Sequence, residues 1–241
     1  MHAYEKTPYI DRSILRYLLF PKDERVHIWR QFYRDLGTHY GTDEQWTFEP
    51  SVAQSILDSY VDNPAISIHK GWYLDSVRKR GTRIVSITCR DEDGRVKTIK
   101  ADSFIDATYE GDLLAQADCE GRGVVEDGIG YAAYQMDSHN CERVVVEKDG
   151  MLMVKNEGDV EKGGGKPYPI SYRSIVPKRE ECTNLLVPVC LSSSHIAFGS
   201  IRMEPVFLEL GQVCGFAAAV AGRKPVQDVD VKLIQAEVSY N

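Results

Sequence analysis

Apolar residues recur at the three- and four-residue spacing of amphipathic helices along the first sixty positions of the chain. The pattern predicts two helices within residues 10–40, separated at Pro21, because proline removes a backbone donor and breaks a helix. A third helix is predicted to begin near Pro50 and to end at Asn63-Pro64. The apolar positions behind these predictions are Leu15, Leu18, Leu19, Ile28, Trp29, Phe32, Leu36, Val52, Ala53, Ile56, Leu57 and Tyr60.

After residue 64 the apolar period changes from about 3.6 to 2, which is the period of β-strands. Residues 65–108 are therefore predicted to form a β-meander, with its clearest turn at Asp91-Glu92-Asp93-Gly94. Phe104, Ile105 and Ala107 lie close together in the last strand. We expect that strand to be buried on both faces.

The second half of the chain has two contrasting parts. Residues 120–170 are glycine-rich, charged and weakly periodic, and Gly163-Gly164-Gly165 is predicted to be a flexible loop. A compact apolar strand is predicted at residues 184–189, and a long helix at residues 205–220. That helix is crowded with small residues, which let another backbone or a flat ligand approach closely. Together these elements predict an α/β fold.

Composition narrows the class of protein. The chain has 241 residues, enough for one large domain or two small ones, and its net charge of -7 argues against a nucleic-acid-binding surface. No run of about eighteen apolar residues is evident, so no membrane span is expected. The first residues lack the pattern of a signal peptide. Six cysteines occur without a C-x-x-C pair, which predicts reduced thiols in a cytoplasmic protein and no metal site.

Two segments are more specific than composition explains, and the first covers residues 104–115. It places a predicted buried strand directly before a turn and a helix start. The small residues Ala107 and Thr108 leave space at the carboxyl end of the strand, where open α/β sheets bind ligands. The alternative is an ordinary strand-to-helix turn, capped by an aspartate or a threonine.

The second segment covers residues 172–178, 184–195, 199–205 and 210–212. In it a polar loop with His195 runs through Arg202 into the glycine-containing helix. The first turn of a helix offers unpaired N–H groups and a positive dipole end, which suit an electron-rich or anionic edge of a ligand.

Both segments resemble the FAD-dependent oxidoreductase family of bacterial proteins. That family pairs an IDATYEGDL motif, here residues 105–113, with an NLLVPVCLSSSHIAFGSIRMEP motif, here residues 184–205, followed by LGQ at residues 210–212. Residues 48–53 and 137–140 also match stretches typical of the family. The resemblance extends over most of residues 30–225.

The resemblance implies a Rossmann-like FAD-binding domain of the glutathione-reductase type, which would occupy residues 1–241 as one incomplete domain. The meander of residues 65–108 would be the insertion that such domains carry, and residues 120–170 a shortened remnant of the substrate domain. The implied cofactor is FAD. The implied reaction is hydride transfer between a small organic substrate and the flavin, whose pyrimidine side gains negative charge that a helix start stabilises.

The resemblance also implies site residues. His195 and Arg202 would be catalytic, and His139 would lie on the substrate side. For each of these two histidines, the alternative is a purely structural role. The residues implied to contact the cofactor are Asp106, Ala107, Thr108, Gly111, Asp112, Ser194, Gly211 and Gln212.

One departure from the family is prominent. Flavoproteins of this type begin with a strand, a G-x-G-x-x-G turn and a helix that receive the FAD pyrophosphate. The sequence contains no such motif, and Gly121-Arg122-Gly123 is the nearest approach. A parallel sheet without that strand has an unpaired edge and an exposed apolar face. We therefore expect either a complementing chain, which a homo-oligomer could also provide, or a truncated form with little activity.

Two other functions remain open at this point. The chain is alternatively a non-catalytic remnant or binding subunit that docks to a partner. A carbohydrate-active hydrolase or lyase would instead require two carboxylates facing each other in a cleft. The candidates for such a pair are Glu49, Glu110, Asp112 and Glu204.

Overall fold

A computed structural model describes residues 3–5, 28–109, 111–117, 127–138, 142–157, 160–162 and 167–238 of the chain. The helix predicted around Leu15 lies outside these residues, as do Glu110, His139 and Gly163-Gly164-Gly165.

The α-helices lie in three groups, at the start, in the middle and at the end of the described chain. The prediction of helices near Trp29, near Pro50 and from Pro205 is confirmed. The helices are α1 (Ile28–Tyr40), α2 (Pro50–Tyr60), α3 (Asp112–Gln116), α4 (His195–Ile201), α5 (Glu204–Ala221) and α6 (Val231–Val238).

The β-strands are short and form several small sheets. They are β1 (Ala3–Glu5), β2 (Ser67–His69), β3 (Trp72–Arg80), β4 (Arg83–Asp91), β5 (Val96–Ile99), β6 (Phe104–Ile105), β7 (Gly128–Ala132), β8 (Met136–Ser138), β9 (Glu142–Lys148), β10 (Met151–Glu157), β11 (Val160–Lys162), β12 (Tyr168–Ser171) and β13 (Leu185–Leu186). All of their pairings are antiparallel except that of β6 with β13.

The predicted meander is confirmed for β3, β4 and β5, which pair in that order. Its last turn is closed by the Asp91 carboxylate, which accepts hydrogen bonds from the Arg95 backbone N–H at 2.8 Å and from Arg95 Nε at 2.6 Å. Gly94 has a φ of +79° in this turn, a conformation that glycine adopts without strain.

The last predicted strand does not belong to the meander. β6 pairs in parallel with β13, so that Phe104 lies opposite Leu185 and Ile105 opposite Leu186. The prediction that this strand is buried on both faces is wrong, because Phe104 is buried but Ile105 is 42% exposed. Successive side chains point to opposite faces of a strand, and only the Phe104 side is covered by the described residues.

β13 lies between the two larger apolar clusters of the protein. Leu185 packs into the cluster formed by the meander and α3. Leu186, the next residue, points to the opposite face and packs into the cluster beneath α5. Both leucines are fully buried, so the short strand joins two cores.

The described strands between Gly128 and Ser171 form three antiparallel pairs, β7 with β12, β8 with β11 and β9 with β10. Their sequence shows only weak periodicity because most side chains of β9 and β10 are exposed. Alternation of apolar and polar residues develops where one face of a sheet is buried and the other is wet. A ribbon exposed on both faces lacks that constraint.

The helix α5 lies at the centre of the apolar cluster that contains Leu186. By length and composition alone it is apolar enough to cross a membrane, which is weak evidence for a span. Its most buried side chains, which include Leu210, Val213 and Ala217, pack inside the protein's own core. A core helix of a soluble protein meets the same length and composition criteria.

α1 packs on α5 and carries an aromatic cluster with it. Phe32 and Leu36 of α1 are buried and group with Leu208 of α5. The first backbone N–H of α1, at Ile28, donates to the side-chain Oε1 of Gln212 at 3.3 Å. One unpaired donor at this helix start is therefore satisfied by α5.

A fully buried amide connects the meander to the parallel strand pair. Asn184 Oδ1 accepts from the Ile84 N–H at 2.9 Å, and Asn184 Nδ2 donates to the Ile84 carbonyl at 2.9 Å and to the Asp102 carbonyl at 3.2 Å. Both Asn184 and Ile84 are fully buried. Removal of the amide would leave both buried backbone groups of Ile84 without partners and without water, whereas the Asp102 carbonyl would keep its bond from Arg83 Nη2 at 2.6 Å.

We expect Asn184→Ala to lower the free energy of unfolding by about 2–4 kcal/mol, because several buried polar groups lose their partners at once. Urea denaturation followed by circular dichroism measures this change. Asn63→Ala is the control, since the Asn63 side chain accepts one bond from the Ala65 N–H in a partly exposed turn. Equal losses in the two variants would contradict the role of Asn184.

Candidate functional site

The carboxylate of Asp106 organises the turn that follows β6. Asp106 is buried, and its Oδ1 accepts from the Thr108 N–H at 3.1 Å and from Thr108 Oγ1 at 2.7 Å. Its Oδ2 accepts from the N–H groups of Leu113 at 3.0 Å and of Leu114 at 2.8 Å. The same side chain thus closes the turn and satisfies unpaired donors at the start of α3.

Thr108 completes this arrangement. Its Oγ1 donates to Asp106 and accepts from the Asp112 N–H at 2.9 Å. The polar atoms of Asp106 and Thr108 therefore hold the turn, as in the alternative of a capped strand-to-helix turn. Ala107 and Asp112 are exposed beside them. The Asp106 carboxylate itself is buried and accepts its hydrogen bonds from the protein.

Gly111 allows the two predicted segments to touch. Its φ is +71°, and a Cβ at this position would lie 3.1 Å from Cys190 Sγ. A larger residue would be strained in its backbone and crowded by the thiol. Gly111 thus has a structural reason to be glycine, and it lies directly beside Cys190.

The turn also reaches α5. The ring of Tyr109, which is 72% exposed, lies with its centroid 6.5 Å from that of Phe207 in an edge-on arrangement. Phe207, Gly211 and Gly215 follow one another at four-residue steps, so they form one stripe along α5. Tyr109 of the turn therefore lies beside the first residue of this stripe.

Ser194 and His195 begin α4. The Ser194 side chain accepts from the Ala197 N–H at 3.2 Å, which caps the helix. His195 is the first residue of the helix, and its side chain is exposed. The Ser194 hydroxyl retains its donor proton for other partners, because capping uses only its oxygen as acceptor.

Arg202 lies at the junction between α4 and α5 and pairs with Asp137. Its guanidinium is 3.4 Å from the Asp137 carboxylate. The strand β8 that carries Asp137 packs tightly on α4, since a Cβ on Gly199 would lie 2.3 Å from the Asp137 carbonyl. Ser200 Oγ also donates to the Tyr134 carbonyl at 2.6 Å. Arg202 is therefore oriented by a carboxylate on a strand that two further contacts hold in place.

Gly211 and Gln212 differ in what surrounds them. Gln212 accepts the N–H at the start of α1 through its side chain, which gives it a structural role. At Gly211 and Gly215 no heavy atom of the described residues lies within 4 Å of where a Cβ would stand. Space beside the α5 backbone is thus open on the stripe that begins at Phe207.

The Cys190 thiol packs beside Gly111 and is expected to be unreactive. Burial, and secondarily the Asp106 carboxylate, raises the pKa of the Cys190 thiol to about 12. A thiol with so high a pKa stays protonated at neutral pH and is a poor nucleophile. The described residues also contain no group of three side chains placed to hold a metal ion.

Sequence reasoning did not single out several residues that shape this region. Asp137 lies in a stretch that matched the family pattern, so that signal could have suggested a partner for Arg202. Cys190 and Asn184 stand within the long motif, where nothing distinguishes a packing residue from a ligand contact. Tyr109 and Phe207 carry no local signal for their meeting, because 98 positions separate them in the sequence.

The carboxylates considered for sugar chemistry have another explanation. Glu49 is the N-cap residue of α2, Asp112 the first residue of α3 and Glu204 the first residue of α5. Negative side chains at helix starts are stabilised by the helix dipole. Glu110 lies outside the described residues.

A family model described as FAD dependent oxidoreductase matches residues 22–123 and 117–238 of the chain. No curated protein and no solved structure matches the chain significantly.

We expect Asp106→Ala to lower the free energy of unfolding by about 2–4 kcal/mol, because four donors lose a charged acceptor in a buried turn. Asp112→Ala is the matched control, since Asp112 is exposed and acts mainly through the helix dipole, worth less than about 1 kcal/mol. Chemical denaturation of both variants measures the difference. A larger loss in the Asp112 variant would contradict the assigned role of Asp106.

We expect the Cys190 thiol of the folded protein to react with iodoacetamide about 10³-fold more slowly at pH 8 than an ordinary thiol, because the raised pKa removes its thiolate. Mass spectrometry of the peptide that contains Cys190 follows the reaction. The same peptide in unfolded protein is the internal control. Rapid labelling in the folded state would show that the thiol is neither buried nor held protonated.

Proposed function

The chain belongs to the family of FAD-dependent oxidoreductases, and we propose that it forms the flavin-ring side of such an enzyme. FAD is the cofactor of this family. The proposed reaction is hydride transfer between a small organic substrate and the flavin.

The open stripe on α5 is the single observation that carries this proposal. Gly211 and Gly215 leave the helix backbone uncovered by the described residues, and exposed Tyr109 stands at the start of the same stripe beside Phe207. A flat ring can approach a backbone closely only where no side chain intervenes. The residues present therefore fit a planar aromatic ligand lying between the 106–112 turn and α5.

The pyrophosphate of FAD lacks a comparable place. Phosphates are usually received by a glycine-rich turn at a helix start, and the sequence contains no G-x-G-x-x-G. The nearest glycines, in Gly121-Arg122-Gly123, lie outside the described residues. We propose that a further polypeptide segment supplies this unit when the enzyme is active.

Bound FAD would supply the acceptor or donor of the hydride, and the protein would supply charge and orientation. Asp137 holds the Arg202 guanidinium at the α4–α5 junction, where its fixed positive charge would bind an anionic group of the substrate. His195, exposed at the start of α4, would accept or donate the substrate proton. The Ser194 hydroxyl proton would donate to the same ligand while its oxygen caps the helix.

The two stretches of the family match meet at residues 117–123. This junction supports the proposal that residues 120–170 are a shortened substrate domain. A chain of this kind acts either as an enzyme with a complementing segment or as a non-catalytic subunit. The six cysteines are scattered without a C-x-x-C pair, and on this pattern we propose a reducing compartment such as the cytoplasm.

We expect FAD, FMN and riboflavin to bind the isolated chain with dissociation constants within about threefold of one another, because all three share the isoalloxazine ring and the sequence has no G-x-G-x-x-G turn for the pyrophosphate. Quenching of flavin fluorescence during titration measures the three constants. Binding of FAD about 100-fold more tightly than riboflavin would overturn the division proposed here. Absence of quenching by any flavin would favour the non-catalytic subunit.

Substitution of Gly211 by leucine tests where the ring binds. Gly211→Leu fills the open space and should abolish quenching by all three flavins. Replacing glycine inside a helix stabilises that helix by up to about 1 kcal/mol, so unfolding would not explain a loss of quenching. Val220→Leu, on the exposed surface of the same helix, is the control and should bind normally. Unchanged binding by Gly211→Leu would place the ring elsewhere.

A further inference from the structure

The ribbon of β9 and β10 is unusually exposed for an apolar element. The fractions exposed are 69% for Val145, 77% for Leu152 and 62% for Val154. Within the part of the chain that the structure describes, the two strands pair only with each other. Such a ribbon offers open edges, which readily accept another strand.

The turn of the ribbon determines which backbone groups point outward. Asp149 and Gly150 both have positive φ, at 54° and 78°, as in the tight type I′ turn. Such a turn is closed by a hydrogen-bonded pair, here Lys148 with Met151. Hydrogen-bonded and non-hydrogen-bonded pairs alternate along an antiparallel ladder. The backbone N–H and C=O groups of Val145 therefore point away from β10, and so do those of Arg143 and Glu147.

The side chains of β9 are complementary to the same strand running in the opposite direction. Its sequence is Glu-Arg-Val-Val-Val-Glu-Lys over residues 142–148. Antiparallel pairing centred on Val145 places Glu142 opposite Lys148 and Arg143 opposite Glu147, each twice by symmetry. The three valines then lie opposite valines. Opposite charges and β-branched residues are favourable cross-strand pairs.

The centre of this symmetric pairing falls on a residue whose backbone groups face outward. Val145 can therefore exchange both of its hydrogen bonds with Val145 of a second copy, and Arg143 and Glu147 can do so with each other. The register that the charges favour is thus also one that the backbone allows. These two conditions are independent, since one concerns side chains and the other the hairpin turn.

The outer edge of β10 does not share this property. Self-pairing of Met-Leu-Met-Val-Lys-Asn-Glu, residues 151–157, centred on Val154 places Met151 opposite Glu157 and Met153 opposite Lys155. No opposite charges meet in that register. Charge complementarity over the whole length of the strand is therefore a property of β9 and not of β10.

We propose that the chain forms a two-fold symmetric homodimer in which β9 pairs antiparallel with β9 of a second copy. The result is one continuous sheet in the order β10–β9–β9–β10. An isologous contact of this kind closes on itself, so it produces dimers and not filaments. The contact is small, so the dimer is a concentration-dependent one.

Sedimentation equilibrium of the purified chain from about 1 to about 200 µM tests the proposal. We expect the average mass to rise with concentration towards twice the 27.2 kDa of one chain. Glu147→Lys places a lysine opposite Arg143 at both symmetric positions and should weaken the dimer at least about tenfold. The double variant Arg143→Glu with Glu147→Lys reverses both charges and should restore dimerisation.

The variant Val154→Lys distinguishes a dimer formed by pairing of the β9 edges from a dimer formed by packing of the exposed ribbon faces. Val154 lies opposite Val145 on the same face but on the strand that the proposed contact leaves outermost. This variant should dimerise normally. The proposal is overturned if the wild-type chain stays monomeric throughout the concentration range, or if Glu147→Lys dimerises as tightly as the wild type. It is also overturned if the double variant fails to dimerise, or if Val154→Lys loses the dimer. Matching thermal melts of all variants exclude unfolding as the cause of a lost dimer.

Discussion

The parallel pairing of β6 with β13 is the constraint on which the rest of the structure depends. It joins segments some eighty positions apart and is secured at both ends by buried polar side chains. At one end the Asn184 amide bonds to Ile84 and Asp102, and at the other the Asp106 carboxylate gathers the turn that leads into α3. Buried polar groups with all partners in place favour one arrangement strongly, because any other leaves them unsatisfied in an apolar core.

This pairing brings the candidate site together. It sets Gly111 of the turn against Cys190 and places Tyr109 against Phe207 in the first turn of α5. The hydrogen bonds that the site residues already make within the protein indicate which of them have structural roles. Asp106, Thr108 and Gln212 are committed to the protein itself, whereas the stripe at Gly211 and the surface of the turn face open space.

The two surfaces with missing neighbours have a common physical origin. Short strands in small sheets bury only one of their faces or edges, so Ile105 next to the turn and the ribbon of β9 and β10 both remain exposed. Exposed apolar strands are costly for a soluble protein unless another polypeptide covers them. The first lies directly before the Asp106 turn, and the second has an edge that its own sequence complements.

The sequence by itself determined the local elements and the family. The 3.6-residue period is enough to place α1, α2 and α5, and alternation and turn residues place the meander. The resemblance to the FAD-dependent oxidoreductases is confirmed by the family model that matches the chain. Tertiary structure alone decided that β6 leaves the meander for β13, that Ile105 is exposed, and that Asp137 orients Arg202. The physical reason is that periodicity records which face of an element is apolar, whereas the choice of partner depends on chain segments distant in sequence and on the polar groups that each pairing must satisfy.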